Sequence, residues 1–226
     1  MIMAFDGSSI DGSAYLDVVR AARHAPGWLD GAVSFWSTYG LAVFGVLMGL
    51  GWWWARRAGA AAAVRTLAVP VVVLAAYGLD AVVKSAVRED RPCQSLRVKT
   101  LETCPAPGDW SFPSNHAAIA AAAAVALLFV SRRLGAVAVV AALAMAVSRV
   151  WVGAHYPHDV LVGVVVGGLV AALSMRALTR WSGPVTGWVA STPLKVLLPP
   201  VAEDDGTEAA AGAGVASVSG GRHGPA

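Results

Sequence analysis

Charged residues are scarce in this sequence. They make up only 14% of its 226 residues, while 57% are hydrophobic, and the mean hydropathy is +0.61. A soluble domain of this length does not need so much apolar surface, so the composition indicates a polytopic membrane protein. The net charge of +3 does not indicate nucleic-acid binding, because several arginines lie in short connections between apolar runs.

Other features are also missing. The first thirty residues carry four aspartates and lack a basic start followed by an apolar core, so we expect no cleaved signal peptide. The sequence has no internal repeat and no second region with the composition of a folded domain. Its two cysteines alone are too few for a metal site.

Five apolar stretches are long enough to cross a membrane, at roughly 20 residues per span. We expect an all-α membrane bundle with about five transmembrane helices plus an N-terminal interfacial helix. The predicted spans are residues 33–55, 65–86, 113–131, 134–152 and 158–178. Alanine, glycine and valine dominate them, and small residues allow close helix packing in lipid.

The two ends of the chain differ from this central part. Residues 11–24 are typical either of an amphipathic interfacial helix or of a loosely ordered leader. Prolines in 184–201 argue against a sixth span, and the Ala/Gly/Ser-rich stretch after residue 202 is typical of a disordered tail. We therefore divide the chain into an N-terminal interfacial segment (1–32), a membrane domain (33–182) and a C-terminal part (183–226).

Arginines indicate how the spans are oriented. In a five-span bundle, the arginines in or beside the short connections all fall on one face; they are Arg56, Arg57, Arg65, Arg132, Arg133, Arg176 and Arg180. The positive-inside rule makes that face cytoplasmic. The opposite face also carries basic residues, so the assignment rests on the short connections. We expect a multi-pass protein of a bacterial-type plasma membrane.

Three blocks of polar residues lie at the ends of the predicted spans. The blocks are Lys84 with Arg91-Pro92, then Pro113-Ser114-Asn115-His116, and then Ser148-Arg149 with His155 and Asp159. Five spans place all three on the extracytoplasmic face, although they are far apart in sequence. This arrangement predicts an active site at that face.

The cations of these blocks suit phosphate binding. Lys84 and Arg91 are seven residues apart and share a face if the helix continues. Together with Arg149 they can hold a dianionic phosphate. Asp80, four residues before Lys84, is a candidate partner for the Lys84 ammonium. The alternative for Lys84 is an interfacial side chain that reaches the lipid headgroups.

The second block resembles a helix start. Pro113 fits the first helical position, which would leave the amides of Ser114, Asn115 and His116 free to bind an anion. The Ser114 hydroxyl would either add a donor or simply cap the helix. His116 stands out because the run that follows it, residues 117–130, is entirely apolar.

His155 and Asp159 are four residues apart. In a helix, Asp159 would accept a hydrogen bond from one ring nitrogen of His155 and leave the other nitrogen free as a nucleophile. Pro157 favours a helix start here over a continuous helix, so this contact is an inference. We expect His158 to face solvent. Two histidines and an aspartate can also bind a metal, but the nearby cations would repel a metal ion and attract an anion.

The blocks resemble the three signature motifs of the type 2 phosphatidic acid phosphatase superfamily, which also includes vanadium haloperoxidases. The resemblance covers roughly residues 33–178 and is carried by Lys84-x6-Arg91-Pro92, Pro113-Ser114-x-His116 and Ser148-Arg149-x5-His155-x3-Asp159. It implies phosphoryl transfer without a metal or organic cofactor. By resemblance, His155 is the nucleophile that becomes phosphorylated, Asp159 orients it and His116 protonates the leaving oxygen. The implied phosphate-binding residues are Lys84, Arg91, Ser114 and Arg149.

Within this superfamily, the five-span layout resembles the bacitracin-resistance type of undecaprenyl-diphosphatase. The segment 36–40 and the run from Ser148 to Asp159 share that resemblance. It implies hydrolysis of undecaprenyl diphosphate in the bilayer. Phosphatidylglycerophosphate, phosphatidate and other polyprenyl phosphates are alternative substrates, because related phosphatases with the same motifs act on them.

Two other classes are disfavoured. A transporter or flippase would use charges inside the membrane and often shows internal repeats, whereas the ionisable residues here cluster at one rim. A haloperoxidase is disfavoured because a hydrophobic polytopic chain indicates a lipid substrate.

Both cysteines, Cys93 and Cys104, lie in the loop between the first and second blocks. On the extracytoplasmic face a disulfide is permitted, and it would stiffen this loop beside the phosphate-binding residues. Two unpaired thiols are the alternative.

Overall fold

A computed structural model describes residues 5–199, and the regular elements of that part are helices. They are α1 (Ser8–Arg23), α2 (Gly27–Tyr39), α3 (Leu41–Ala55), α4 (Ala60–Val87), α5 (Pro92–Ser95), α6 (Asn115–Val130), α7 (Arg132–Trp151), α8 (Pro157–Arg180), α9 (Ser182–Ala190) and a final 3-10 helix (Pro193–Leu197). The all-α prediction is confirmed for these residues. The predicted tail after residue 202 lies outside them.

Three helices, α4, α7 and α8, are long and apolar enough to cross a membrane. The first predicted span, 33–55, is not one helix, because α2 and α3 meet at Gly40 with a bend of 54°. A Cβ atom at Gly40 would lie 2.5 Å from the Trp36 carbonyl oxygen and 2.9 Å from Met145 Cε. Glycine at this position therefore allows the bend to pack against α7.

The central helix of the bundle is α6. Its 16 residues span about 24 Å, which is less than the roughly 30 Å of a hydrocarbon core. Most of its alanines are buried, and α4, α7 and α8 surround it. It therefore exposes little surface to lipid, and its near-continuous alanine sequence suits a helix that packs on several sides.

Glycines of α8 set its distance from α6. A Cβ atom at Gly167 would lie 2.1 Å from the Ala118 carbonyl oxygen, and one at Gly163 would lie 2.6 Å from the Ser114 carbonyl oxygen. The two backbones can approach this closely only without side chains there. This crossing places the start of α8 beside the start of α6, where two of the three polar blocks lie.

Helix α1 packs on the loop between α7 and α8. Its Tyr15, Val19 and Ala22 are buried, the Tyr15 hydroxyl donates to the Gly153 carbonyl oxygen at 3.0 Å, and the Tyr15 ring lies 5.4 Å from that of Tyr156. Of the two readings of residues 11–24, the structure shows the helix.

The C-terminal part lies at the other end of the bundle. Helix α9 has nine residues, too few to cross a membrane. Its Val189, together with Leu198, packs on Val64 near the start of α4. The Trp52 indole nitrogen donates to the Leu197 carbonyl oxygen at 3.3 Å. This end is remote from the polar blocks, since α4 has 28 residues and is therefore about 42 Å long.

Candidate active site

The structure brings the three polar blocks together at one end of the bundle. They lie at the end of α4, at the start of α6 and in the connection from α7 to α8. The hydrogen bonds described below join all three. Residues up to seventy-five positions apart in sequence thus share one buried polar cluster.

Arg91 does not share a helix with Lys84, contrary to the expectation of a common helical face. Helix α4 ends at Val87, and Arg88 adopts a left-handed backbone with φ of 55°. Arg91 is buried in the loop that follows; its Nη1 donates to the Ala154 carbonyl oxygen at 3.0 Å and lies 3.4 Å from Nε2 of His155.

Lys84 bonds to the backbone and not to Asp80. Its Nζ donates to the carbonyl oxygens of Trp110 and Ser111, each at 3.0 Å. The predicted pairing with Asp80 is wrong, because both carboxylate oxygens of Asp80 are buried without a hydrogen-bond partner among the described residues. The carbonyls before α6 take two of the three ammonium donors and leave one for a ligand.

The start of α6 differs from the sequence prediction. Pro113 is not the first helical residue; it follows a cis peptide bond with Phe112, and the helix begins at Asn115 after Ser114. The Ser114 amide is not free, since it donates to the Asp159 carbonyl oxygen at 3.1 Å. The Ser114 hydroxyl is buried without a partner in the described part of the chain and does not cap the helix.

His116 occupies the first turn of α6 and is half-buried. It lies within electrostatic range of Arg149, Arg91 and Lys84. The structure therefore places this histidine beside the cations that the sequence assigned to phosphate binding.

His155 is buried between α7 and α8. Its Nδ1 lies 3.4 Å from Oδ2 of Asp159, and its Nε2 faces Arg91. Burial lowers the pKa of His155, the hydrogen bond with Asp159 opposes this effect and the positive charge of Arg91 adds to it, and together they bring the pKa to about 3. The ring is therefore neutral at pH 7. With its proton on Nδ1, facing Asp159, the Nε2 lone pair is available for reaction.

Two groups besides His155 contact Oδ2 of the Asp159 carboxylate. Its Oδ2 accepts hydrogen bonds from the Ser111 hydroxyl and from the Tyr156 amide, the latter at 2.9 Å. Ser111 is fully buried and also lies 3.4 Å from Nδ1 of His155. Ser111 is not among the residues predicted from the sequence, although it lies two residues before Pro113.

Arg149 forms an ion pair with a carboxylate of the loop between α5 and α6. Its Nη1 lies 3.1 Å from Oε2 of Glu102 and also donates to the Ser37 hydroxyl. Arg91 is paired in the same way, with its Nη2 at 2.9 Å from Oδ1 of Asp109. Neither pairing could be predicted from the sequence, because both acidic residues lie in a long irregular loop.

His158 does not face solvent, so that expectation is wrong. Its Nδ1 lies 2.8 Å from Oδ1 of Asp11, and its Nε2 lies 3.0 Å from Oε1 of Glu89 and 3.3 Å from Oδ1 of Asp159. Ligand atoms of Glu89, His158 and Asp159 also lie close enough together to hold a metal ion.

Cys93 and Cys104 are joined by a disulfide, with their Cα atoms 5.9 Å apart. The bond ties the short helix α5 to the loop that carries Glu102 and Asp109. Of the two alternatives for the cysteines, the structure contains the bridge.

Known proteins resemble this chain in sequence. It is 42% identical over 88 residues to undecaprenyl-diphosphatase BcrC of Bacillus subtilis, covering 39% of this chain and 45% of that protein. It is 38% identical over 99 residues to decaprenylphosphoryl-5-phosphoribose phosphatase of Mycobacterium tuberculosis, covering 43% of this chain and 52% of that protein. The chain thus spans about half the length of these relatives.

Two solved structures share the fold. The crystal structure of Aquifex aeolicus LpxE covers 77% of this chain and 99% of its own, with a TM-score of 0.60 and 20% identity. A transmembrane PAP2 type phosphatidylglycerolphosphate phosphatase from Bacillus subtilis covers 75% of this chain and 86% of its own, with a TM-score of 0.53 and 23% identity. These likenesses and the apolar helices establish a multi-pass membrane fold. Residues 65–182, more than half of the sequence, match the PAP2 superfamily, and the chain therefore belongs to that superfamily.

Proposed function

We propose that this protein is an integral membrane lipid phosphatase that hydrolyses undecaprenyl diphosphate to undecaprenyl phosphate and phosphate. One observation carries the proposal: Nε2 of the buried His155, on the side of the ring away from Asp159, lies 3.4 Å from Nη1 of Arg91 in a cluster of cations. A nucleophile in that position is aimed at whatever anion the cations hold, and phosphoryl transfer depends mainly on such positioning and charge stabilisation.

The reaction proceeds in two displacements. Nε2 of His155 attacks the terminal phosphorus, the bond to the bridging oxygen breaks, and His116 gives that oxygen its proton as undecaprenyl phosphate leaves. Water then attacks the phosphohistidine, its proton passes to His116, and phosphate is released. Asp159 holds the Nδ1 proton throughout and stabilises the positive charge that develops on the ring.

Unused polar atoms support a phosphate at this place. Among the described residues, the Ser114 hydroxyl and Nε of Arg149 are buried without partners. The carbonyl oxygens of Trp110 and Ser111 use two of the three N–H donors of Lys84 and leave the third for a ligand. Buried donors of this kind are costly unless something accepts from them, and the equatorial oxygens of a phosphoryl group are suitable acceptors.

A groove beside the site suits a lipid tail. It lies between α2 and α7, has a volume of about 520 Å³, and is lined largely by apolar side chains such as Trp36, Leu143 and Val147. Ser148 belongs to its lining and directly precedes Arg149. A lipid held there would therefore place its apolar chain in the groove and its phosphate at the cations.

We propose that the reaction needs no metal. Arg91 lies 3.4 Å from Nε2 of His155, and Arg149 and Lys84 lie with it within electrostatic range of His116. A divalent metal would add to the repulsion among these cations, whereas a dianionic phosphate relieves it. The arginine-bearing connections lie at the opposite end of the bundle, so the positive-inside rule supports an extracytoplasmic active site.

A second polyprenyl substrate is favoured by one comparison. The chain is 38% identical over 99 residues to a phosphatase named for decaprenylphosphoryl-5-phosphoribose. That compound and undecaprenyl diphosphate share a long isoprenoid chain and differ in the group that leaves. Phosphatidylglycerophosphate and phosphatidate remain the alternatives with acyl chains.

A substrate panel tests the proposal. Purified protein in detergent is offered all four lipids, with and without a chelator, and phosphate release is measured. We expect the highest kcat/KM with undecaprenyl diphosphate and no loss with the chelator. His155→Ala should abolish turnover and acid-labile labelling by a ³²P substrate, while His24→Ala, which changes an exposed histidine of the same chain, should not. Turnover by folded His155→Ala protein would refute the mechanism, and preference for an acyl lipid would refute the substrate.

A further inference from the structure

We propose that His158 is a positioning residue that fixes the catalytic carboxylate of Asp159 by joining it to the N-terminal helix α1. Residues 5–23 then help to position an active-site residue. The inference rests on the proposed function, in which Asp159 orients the His155 nucleophile.

His158 is bonded on both sides of its ring. Nδ1 lies 2.8 Å from Oδ1 of Asp11, and the His158 amide donates to Oδ2 of the same residue at 2.7 Å. Nε2 lies 3.0 Å from Oε1 of Glu89. Because carboxylate oxygens only accept, both ring nitrogens carry protons and the ring is an imidazolium. We call this contact the Asp11–His158–Glu89 bridge.

The charges around His158 require a cation there. The titratable groups that face it are Asp11 from α1, Glu89 from the loop after α4, and Asp159 from its own helix. Glu89 and Asp159 are almost completely buried, so two neighbouring carboxylates would repel each other without an intervening positive charge. The ring also stacks on Tyr156 with centroids 5.4 Å apart, which fixes its plane.

The two oxygens of Asp159 have separate partners. Oδ2 faces His155 and accepts from Ser111 and Tyr156, whereas Oδ1 accepts no hydrogen bond in the described part of the chain and lies 3.3 Å from Nε2 of His158. Attraction between His158 and Oδ1 therefore opposes rotation of the carboxylate away from the nucleophile. This is how the bridge acts on the reaction without touching the substrate.

Backbone hydrogen bonds hold the N-terminal segment beside the bridge. The Phe5 amide donates to the Arg88 carbonyl oxygen at 3.1 Å, and the Asp90 amide donates to the Phe5 carbonyl oxygen at 2.9 Å. At Gly7, a Cβ atom would lie 1.8 Å from Oε1 of Glu89 and 2.9 Å from Cε1 of His158. A side chain at this position would therefore push the Glu89 carboxylate and the His158 ring out of their present places.

This segment lies outside the part of the chain that matches the superfamily, residues 65–182. Asp11 and His158 are 147 positions apart in sequence. The bridge therefore adds to the shared catalytic domain a contact from a segment that the family match does not include.

The test compares kcat and KM for Asp11→Asn, His158→Gln, His158→Lys and Gly7→Ala in the full chain. Asp17→Asn is the matched control, because Asp17 lies on the exposed side of α1 and pairs only with Arg20 in the described structure. Phosphate release is measured with undecaprenyl diphosphate and with a small aryl phosphate. Thermal unfolding in detergent is followed for each variant.

We expect Asp11→Asn, His158→Gln and Gly7→Ala to lower kcat about tenfold, as supporting partners of site residues commonly do, with KM changed less than twofold. His158→Lys should recover activity relative to His158→Gln because it restores the cation, and Asp17→Asn should match the wild type. The double variant with Asp11→Asn and His158→Gln should be no slower than His158→Gln alone, since the two substitutions remove the same contact between Asp11 and His158.

Three results would overturn the inference. The first is a kcat within twofold of wild type in folded Asp11→Asn and Gly7→Ala protein. The second is a fall in rate that merely follows loss of folded protein. The third is wild-type activity that a chelator abolishes and a divalent cation restores, which would assign Glu89, His158 and Asp159 to a metal. Failure of the wild type on undecaprenyl diphosphate alone would refute the proposed substrate, while the variant ratios on aryl phosphate would still test the bridge.

Discussion

Ser111 offers the sharpest test of how the nucleophile is oriented. Its hydroxyl donates to Oδ2 of Asp159, the oxygen that faces His155. Ser111→Ala removes this donor. In the described structure, the Tyr156 amide and His155 are then the groups that still bond to that oxygen. The carboxylate can then turn, and the imidazole loses its fixed orientation.

The size of the effect follows from the chemistry of the bond. A hydrogen bond to a charged group contributes about 1.5–3 kcal/mol. If this contribution is needed only in the transition state, kcat falls by about tenfold to 150-fold, at roughly 1.4 kcal/mol per factor of ten. KM should change little, because the Ser111 hydroxyl bonds Asp159 and not a cation, and the substitution keeps the Ser111 carbonyl oxygen that accepts from Lys84.

The assay is single-turnover phosphate transfer to His155, followed in wild type, Ser111→Ala, Asp159→Asn and the double variant. In the Asp159→Asn background, loss of Ser111 should cost less than about threefold, since the charged acceptor is already gone. Ser85→Ala is the matched control: that hydroxyl bonds only the Val82 carbonyl oxygen of its own helix in the described structure, and we expect no change. A Ser111→Ala rate within threefold of wild type, or equal losses in both backgrounds, would refute the reasoning.

Three further predictions concern the loop, the groove and pH. Glu102→Gln should lower KM about two- to fivefold at constant kcat, because Glu102 is half exposed and solvent screens its pair with the buried Arg149 to about 1 kcal/mol; the check is steady-state kinetics with phosphate as product inhibitor. Ala144→Trp should fill the groove between α2 and α7 and raise KM for undecaprenyl diphosphate at least fivefold while leaving a short-chain phosphate ester unaffected. For His155, the pKa is depressed in the folded state, so its stabilising effect is complete above the ordinary histidine pKa of about 6.5 and is lost as pH falls towards 3. From pH 7 to pH 5 the wild type should lose about 2 kcal/mol of unfolding free energy that His155→Ala keeps, as measured by unfolding in SDS–detergent mixtures.

The sequence contains enough information to group the active-site residues, because each block ends or begins an apolar run. Hydrophobic length fixes which end of a span a residue occupies. Lys84 and His116 flank one connection, His155 lies in another, and the two predicted spans between these connections return the chain to the same rim. Span length and chain order therefore predict the cluster that the structure shows, without any knowledge of side-chain contacts.

Partner choice could not be predicted in the same way. Helical spacing predicts a pair of Lys84 with Asp80, but the ammonium reaches the carbonyls of Trp110 and Ser111 in a loop without periodicity. The expectation that His158 faces solvent fails for a similar reason. Its partners Asp11 and Glu89 arrive from other elements, and only the path of the chain in space brings them together.

The carboxylates at this site fall into two groups by burial, and burial decides what each can do. Asp159 and Glu89 are sealed from solvent, so removing the charge that faces them leaves an uncompensated buried ion, which is strongly destabilising. Glu102 and Asp109 pair with Arg149 and Arg91 but keep about half of their side-chain surface in water, at 45% and 53%. Solvent screens these two pairs from the carboxylate side, although both arginines are buried. In the proposed function, a phosphate would bring two charges and three acceptor oxygens to the same arginines. We therefore expect substrate to displace Glu102 and Asp109 and to leave the buried carboxylates in place beside His155.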